Sequence, residues 1–231
     1  MEPNKSQLYV SLLLAFTAGF CDAATFAAAD QLFSAHVTGN FIVFAYDLIK
    51  GADSATWIKL ISFPVFIAAV LASGWAAPRL KSPYTLLLFE GIVLVAAAAI
   101  KFSTNNHTFS MTSWSVCVPF AIVFAMGIQN AFGRLYSKNV LAPTTIMTGN
   151  VTQVTLDFTK MLFLGSFDAV NRQALANQLM VIGGFLAGCI AGAYLAITFN
   201  LWVVGWPGVL LIIISITKNL KGNTKYVGAL K

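Results

Sequence analysis

One motif occurs twice in this chain. Thr38-Gly39-Asn40 is followed by Asp47 and Lys50, and 110 residues later Thr148-Gly149-Asn150 is followed at the same spacing by Asp157 and Lys160. Five matched positions at one offset in 231 residues point to two copies of a single unit. The chain can then fold only as something built twice. Repeat 1 spans residues 8–101 and repeat 2 residues 114–217. Residues 218–231 remain as a basic, cytoplasmic tail with four lysines.

What surrounds the motif sets its solvent. Of all residues 58% are hydrophobic and 10% charged, with a mean hydropathy of +0.79; a soluble domain carries about 25% charge. Several apolar stretches approach the ~20 residues that cross a bilayer as helix. The expected class is an all-α polytopic membrane protein of two tandem repeats. Each repeat has three full spans plus one short or broken helix that carries Thr-Gly-Asn. The net charge of +6 is no nucleic-acid signal, because the basic residues lie between apolar stretches and in the tail, where they set orientation.

Taken in order, the apolar segments are 8–29, 33–50, 57–77 and 84–100, then 114–132, 143–164, 175–197 and 201–216. The second and sixth hold the motif. Polar loops separate the segments, and Asn106-His107-Thr108 in the mid-chain connector fits a glycosylation acceptor. If the motif segments do not cross, there are six spans and three per repeat, so the second copy is inserted upside down. Such inverted repeats recur in transporters and place the site at the midplane. With the tail inside, eleven Lys/Arg then lie inside and three outside; eight full crossings would give ten and four. The rule that positive charge stays inside leaves both open. In both, the two termini are cytoplasmic.

Small residues recur at intervals of four in Gly184, Gly188 and Gly192, matched by Ala69, Ser73 and Ala77. That spacing lets helices approach closely in lipid. Gly19 and Asn40 are 21 residues apart with a turn near residue 30. A helical hairpin rising ~1.5 Å per residue brings them to one depth. The same holds for Gly127 and Asn150. Four polar side chains, Asp22, Asn40, Asn130 and Asn150, are thus expected to converge at mid-membrane, with Thr38, Thr148 and Gln129 beside them as substrate-binding candidates.

Within the motif, glycine loosens the helix, and Thr and Asn can cap freed amides at the start of the next one. Such a helix start offers N–H groups to a polar or anionic solute. The same residues also suit a buried polar knot that only ties helices together. Asp22, an ionisable group in mid-span, is a functional candidate by default. Its counterpart Asn130 cannot titrate, which suits proton or cation coupling through one half. Asp47 with Lys50, and Asp157 with Lys160, read as structural ion pairs at i,i+3. Thr148, Thr152, Thr155 and Thr159, with Gln153 and Asp157, form a polar stripe expected to line water or protein interior. His36 reads as a turn-end histidine at the interface.

No nucleophile–base pair, phosphate loop or metal-ligand cluster is present in the sequence, and Cys21, Cys117 and Cys189 lie singly. The expectation is no enzyme, no metal and no cofactor. The expected partners are the lipid bilayer and a small polar solute of unknown identity. No nucleic acid is expected, and a homo-oligomer stays open. The functional expectation is a small transporter or channel. Its rival is a non-transporting scaffold or sensor that binds a partner or lipid.

Four strings carry a resemblance: Ala18-Gly19-Phe20-Cys21-Asp22-Ala23, Ala35-His36-Val37-Thr38-Gly39-Asn40, Gly127-Ile128-Gln129-Asn130-Ala131, and Pro143-Thr144-Thr145-Ile146-Met147-Thr148-Gly149-Asn150. Through them the chain resembles the YoaK-type family of bacterial integral membrane proteins of unknown function, over about residues 11–216. That resemblance implies a protein of the bacterial cytoplasmic (inner) membrane with six spans. It supplies no substrate and no catalytic residue.

Overall fold

The computed structural model describes residues 5–53, 55–104, 114–142, 144–164 and 168–228. The Asn106–His107–Thr108 acceptor and Pro143 lie outside these residues. The α-helices, in order, are α1 (Lys5–Ala28), α2 (Gly39–Gly51), α3 (Thr56–Ala76), α4 (Tyr84–Thr104), α5 (Trp114–Leu135), α6 (Met147–Leu164), α7 (Ala169–Phe199) and α8 (Gly205–Gly228). The chain is a polytopic all-α membrane protein. Among the described residues five segments are long and apolar enough to cross a bilayer, and the fifth, Val170–Leu220, is 51 residues long. At ~1.5 Å per residue that is more than twice a ~30 Å hydrocarbon core. It bends at Asn200, which has a φ of 63°, and so comprises two crossings, α7 and α8. The motif helices α2 and α6, of 13 and 18 residues, are not among the five.

Among the described residues four helix pairs build the core, α4 with α5 and three whose closeness glycine sets. A Cβ added at Gly188 or Gly192 of α7 would stand 2.2 Å from the carbonyl oxygen of Phe16 or Phe20 on α1; one at Gly19 would stand 2.2 Å from that of Phe185. Only glycine allows this approach, and in lipid such packing is what drives association. Residue numbers rise together along α1 and α7, so the pair is parallel. On the other side Gly127 of α5 packs on Phe66 and Ala69 of α3, and Tyr136 Oη donates to the Ala77 carbonyl. That pair is parallel too. Phe66 meets Gly127 as Phe185 meets Gly19, so Ala69 and Ser73 correspond to Gly188 and Gly192. This is one turn away from the match that the spacing suggests.

The third pair, α4 with α8, is antiparallel: Gly205 faces Ala98, Gly208 faces Leu94, and Gly91 faces Ile212. α1 and α5 also run oppositely. Gln7 Nε2 donates to the Lys138 carbonyl, Leu141 N–H to Ser11 Oγ at 2.8 Å, and Gln129 Nε2 to the Leu14 carbonyl at 2.8 Å. Eight full crossings would make both of these pairs parallel. Six, with α2 and α6 not crossing, makes both antiparallel, as found.

The chain differs from expectation where it is not helical. Residues 29–38 were expected to enter the second helix by residue 33, but α2 starts at Gly39. Asp30 and Gln31 take left-handed φ of 53° and 58° and turn the chain back. Side chains then hold the returning backbone, as described below. Likewise α6 starts at Met147 rather than 143, and α7 at Ala169 rather than 175. α8 runs on to Gly228, through most of the expected tail.

Candidate functional site

The returning loop is tied to α1 by Asp22. Its Oδ1 accepts the N–H of Ala35 at 2.7 Å and of His36 at 3.3 Å, and its Oδ2 lies 2.5 Å from His36 Nδ1. The Asp22 side chain is 7% exposed and that of His36 34%. His36 was expected to be a turn-end residue at the interface. It is instead the partner of the mid-span acid, with its ring edge-on to Phe185 of α7, centroids 5.5 Å apart.

Asn40 fastens the same loop to α3. Its amide pairs with both backbone groups of Phe33, each at 2.8 Å, and donates to Ser62 Oγ at 2.9 Å. Thr38 precedes α2 but makes no side-chain cap. The amides of Gly39, Asn40 and Phe41 are taken by the carbonyls of His36, Val37 and Thr38. The expected free helix start is therefore closed at α2. In the second half, Asn130 Nδ2 donates to Thr145 Oγ1 at 2.9 Å, and Gln129 reaches Thr144 Oγ1 at 3.2 Å. Asn150 is buried, with its amide 3.6 Å from Met147 Sδ.

Between the two non-helical stretches lies a cavity of about 330 Å³. Thr38 and His36 line it from one loop, Thr145 from the other and Thr148 from the first turn of α6, with Asn130 and Phe66 between. Phe66 is the middle residue of α3, so the cavity sits at mid-span. The structure thus brings together Thr38, Asn130 and Thr148. Asn40, Asn150 and Gln129 do not line this cavity; hydrogen bonds account for the whole Asn40 amide and for Gln129 Nε2, while the buried Gln129 Oε1 has no partner among the described residues. Asp22 lines a second, larger and more apolar crevice of about 770 Å³ between α1 and α7, with Phe26, Phe185, Cys189 and Ile197. His36 lines both spaces and forms the wall between them.

The ion pairs sort differently from expectation. Lys160 Nζ is 3.0 Å from Asp157, which also takes Gln153 at 3.0 Å. Asp47, however, pairs at 2.8 Å with Lys59 of α3, and Lys50 lies over the Tyr46 ring, 4.5 Å from its centroid. Lys59, 3% exposed, also meets Asp30, and so pins the turn of the loop to the start of α3. The threonine stripe of α6 does not face the interior. Thr152, Thr155 and Thr159 are exposed, and their hydroxyls donate to carbonyls one turn back, at 3.0, 2.9 and 2.8 Å.

Sequence reasoning passed over two residues with partners or places of consequence. Lys59 was hidden because Lys50 lies nearer in sequence to the carboxylate of Asp47, with which Lys59 pairs. Glu90, a lone acid inside an apolar helix, is fully buried in α4; its position alone was a signal.

No curated protein and no solved structure matches the chain. A family model does, over residues 10–217, nearly the whole chain, under the description "Protein of unknown function". The chain belongs to the DUF1275 family.

Proposed function

We propose that this protein is a small transporter or channel for a polar solute, built of two inverted repeats around the cavity between its two broken helices. The observation that carries this reading is the cavity itself. Non-helical backbone at membrane depth persists only where it is buried in protein or lines a water-filled space. Here two such stretches, one from each half, meet at a common space, to which they bring Thr38, His36 and Thr145, while α5 adds Asn130 and α6 Thr148. Its size, about 330 Å³, is at the small end of ligand sites, and its lining favours a neutral or weakly charged solute rich in hydrogen-bonding groups.

Helix directions support the inversion. α1 pairs with α7 and α5 with α3, both parallel, while α4 and α8, the equivalent third spans, run oppositely. Exchange of the two halves leaves this pattern unchanged. The six-span arrangement keeps eleven of fourteen basic residues on the side of both termini, which supports a bacterial inner membrane protein with cytoplasmic ends. Asp22 with His36 is the coupling element of this reading: His36 lines the cavity, and Asp22 holds it from the crevice on the other side. The thiols of Cys21 on α1 and Cys189 on α7 both lie within electrostatic range of Asp22.

A second reading has its own support. Asn40 has every polar atom of its amide engaged within the protein, which is what a packing knot in a non-transporting scaffold needs. Water access separates the two. In a background lacking the three native cysteines, Thr38→Cys and Thr148→Cys are exposed to a membrane-impermeant thiol reagent in proteoliposomes. Labelling of both, slowed by a solute that also accumulates in the vesicles, is the expected result. No labelling from either side, under conditions that label a loop cysteine, overturns the transport reading in favour of the knot.

A further inference from the structure

Glu90 lies in the seventh position of α4 and is fully buried. At ~1.5 Å per residue it is ~10 Å from the helix start. Neither carboxyl oxygen has a hydrogen-bond partner among the described residues, and none of their ion pairs includes it. The groups around it offer no counter-charge. On α1 the Cys21 thiol is within electrostatic range, and the adjacent Asp22 is engaged by His36 and the loop. On α8 the nearest cation, Lys218, is held toward the helix end by Ser6 and the Tyr84 ring. On α5 the basic side chain is Arg134 in the last turn, and residues 200–204 carry no ionisable side chain. On α4 itself, Lys101 is three turns away. Two more buried oxygens without a partner flank the position: Thr17 Oγ, one turn from Cys21, and Ser215 Oγ, one turn beyond Ile212. Next to Glu90, Gly91 packs so tightly on α8 that an added Cβ would be 2.7 Å from the Gly208 carbonyl oxygen.

An ionised carboxylate without donor or counter-charge is far costlier in such a place than the neutral acid. We propose that Glu90 is a membrane-embedded proton-binding site, separate from the solute cavity. It holds its proton in the packed state seen here. It gives the proton up when the α4–α8 crossing admits water: the acid O–H breaks, its electron pair stays on the carboxylate, and the proton passes to the entering water. The site goes beyond the transport reading and does not need it.

The chain has only two glutamates, Glu2 and Glu90, so the test needs no change at Glu90. In a Glu2→Gln background, glutamate carrying ¹³C in its side-chain carboxyl reports on Glu90 alone. Isotope-edited infrared spectra of the protein in lipid then show whether that group is acid or carboxylate. At neutral pH the carboxylic-acid carbonyl band is expected, and it is expected to shift within minutes of transfer to D₂O. A carboxylate spectrum at neutral pH would overturn the proposal and point to a bound cation. An acid band unshifted after a day would also overturn it, as a sealed structural acid. Neither outcome depends on a substrate, so failure here is distinct from failure of the transport reading.

Discussion

Replacing Asp22 by Asn or by Ala separates shape from charge at the centre of the site. In Asp22→Asn the side-chain carbonyl can still accept the amides of Ala35 and His36, now 2.7 and 3.3 Å from Oδ1. The new NH₂ can donate to an unprotonated His36 Nδ1, a change of tautomer rather than of position. Bonds to a charged acceptor are each worth about 1.5–3 kcal/mol and neutral ones about 0.5–1.5. Over three bonds that difference is about 3–4 kcal/mol in a soluble core, and Asp22→Asn should cost about 1–2 kcal/mol in lipid, where unfolded helices find other partners. Asp22→Ala leaves two amides and an imidazole nitrogen without a partner, at about 1–3 kcal/mol each in a soluble core and less in lipid, where the unfolded helices find other partners. A total of about 2–4 kcal/mol is expected. Unfolding in detergent is often irreversible, so apparent Tm values serve to rank the variants. The expected order is parent, Asn, Ala, with solute uptake by the Asn variant insensitive to a pH gradient. An Asn variant as unstable as Ala would show that charge, not geometry, holds the loop. Normal gradient-driven uptake by it would remove Asp22 from coupling.

Three further outcomes follow from the packing and the loops. Gly188→Ala must push α1 and α7 apart by about 1 Å and should lower stability by about 1–3 kcal/mol, whereas Gly74→Ala, with open space around it, should leave it unchanged or raise it; equal Tm values for the two would refute the contact. Lys59→Met should cost about 1–3 kcal/mol, below the range for a fully buried pair because Asp30 and Asp47 are 44% and 24% exposed, and Lys50→Met close to nothing, as read by Tm or by protease cleavage of the 29–38 loop. Asp53 accepts the Thr56 backbone N–H at 2.9 Å and its hydroxyl at 3.0 Å, and these bonds hold its carboxyl below the ordinary range. Its support of the α3 start is therefore complete above the ordinary carboxylate range and fades as pH falls through the lowered value. Hydrogen exchange at the Thr56 amide should show this, and Asp53→Asn should remove the pH dependence.

Much of the architecture was legible because it is local. Apolar length marks the spans, a fixed offset marks the two motifs, and small residues every four positions mark the face of α7 that meets α1. What stayed hidden depends on contacts distant in sequence. The stretch from Phe33 to Thr38 reads as helix by composition, yet Asp22 and Asn40 bond its backbone in another shape. Asp47 has a lysine three residues away and pairs with one twelve away, because α3 folds back beside α2. His36 draws no attention from the repeat because the second copy has no histidine there, and a comparison between copies cannot see a partner that only one copy has. Of the four side chains expected to converge, only Asn130 lines the central cavity. Thr38 and Thr145 line it because loops form part of its wall, and Thr148 because α6 begins there.

The parallel pairing of α1 with α7 has a consequence for how the protein is made. The glycine-lined face of α1 finds its partner only when residue 199 has been synthesised, 171 residues after α1 ends. At ~5–20 residues per second that is a wait of roughly ten to thirty seconds. Through that interval Asp22 has its own loop for company but no seventh helix to cover it. Insertion machinery that releases helices to lipid one at a time would leave a polar, close-packing face bare in the bilayer. A chain wired this way matures late, and its first helix is among the last to be settled.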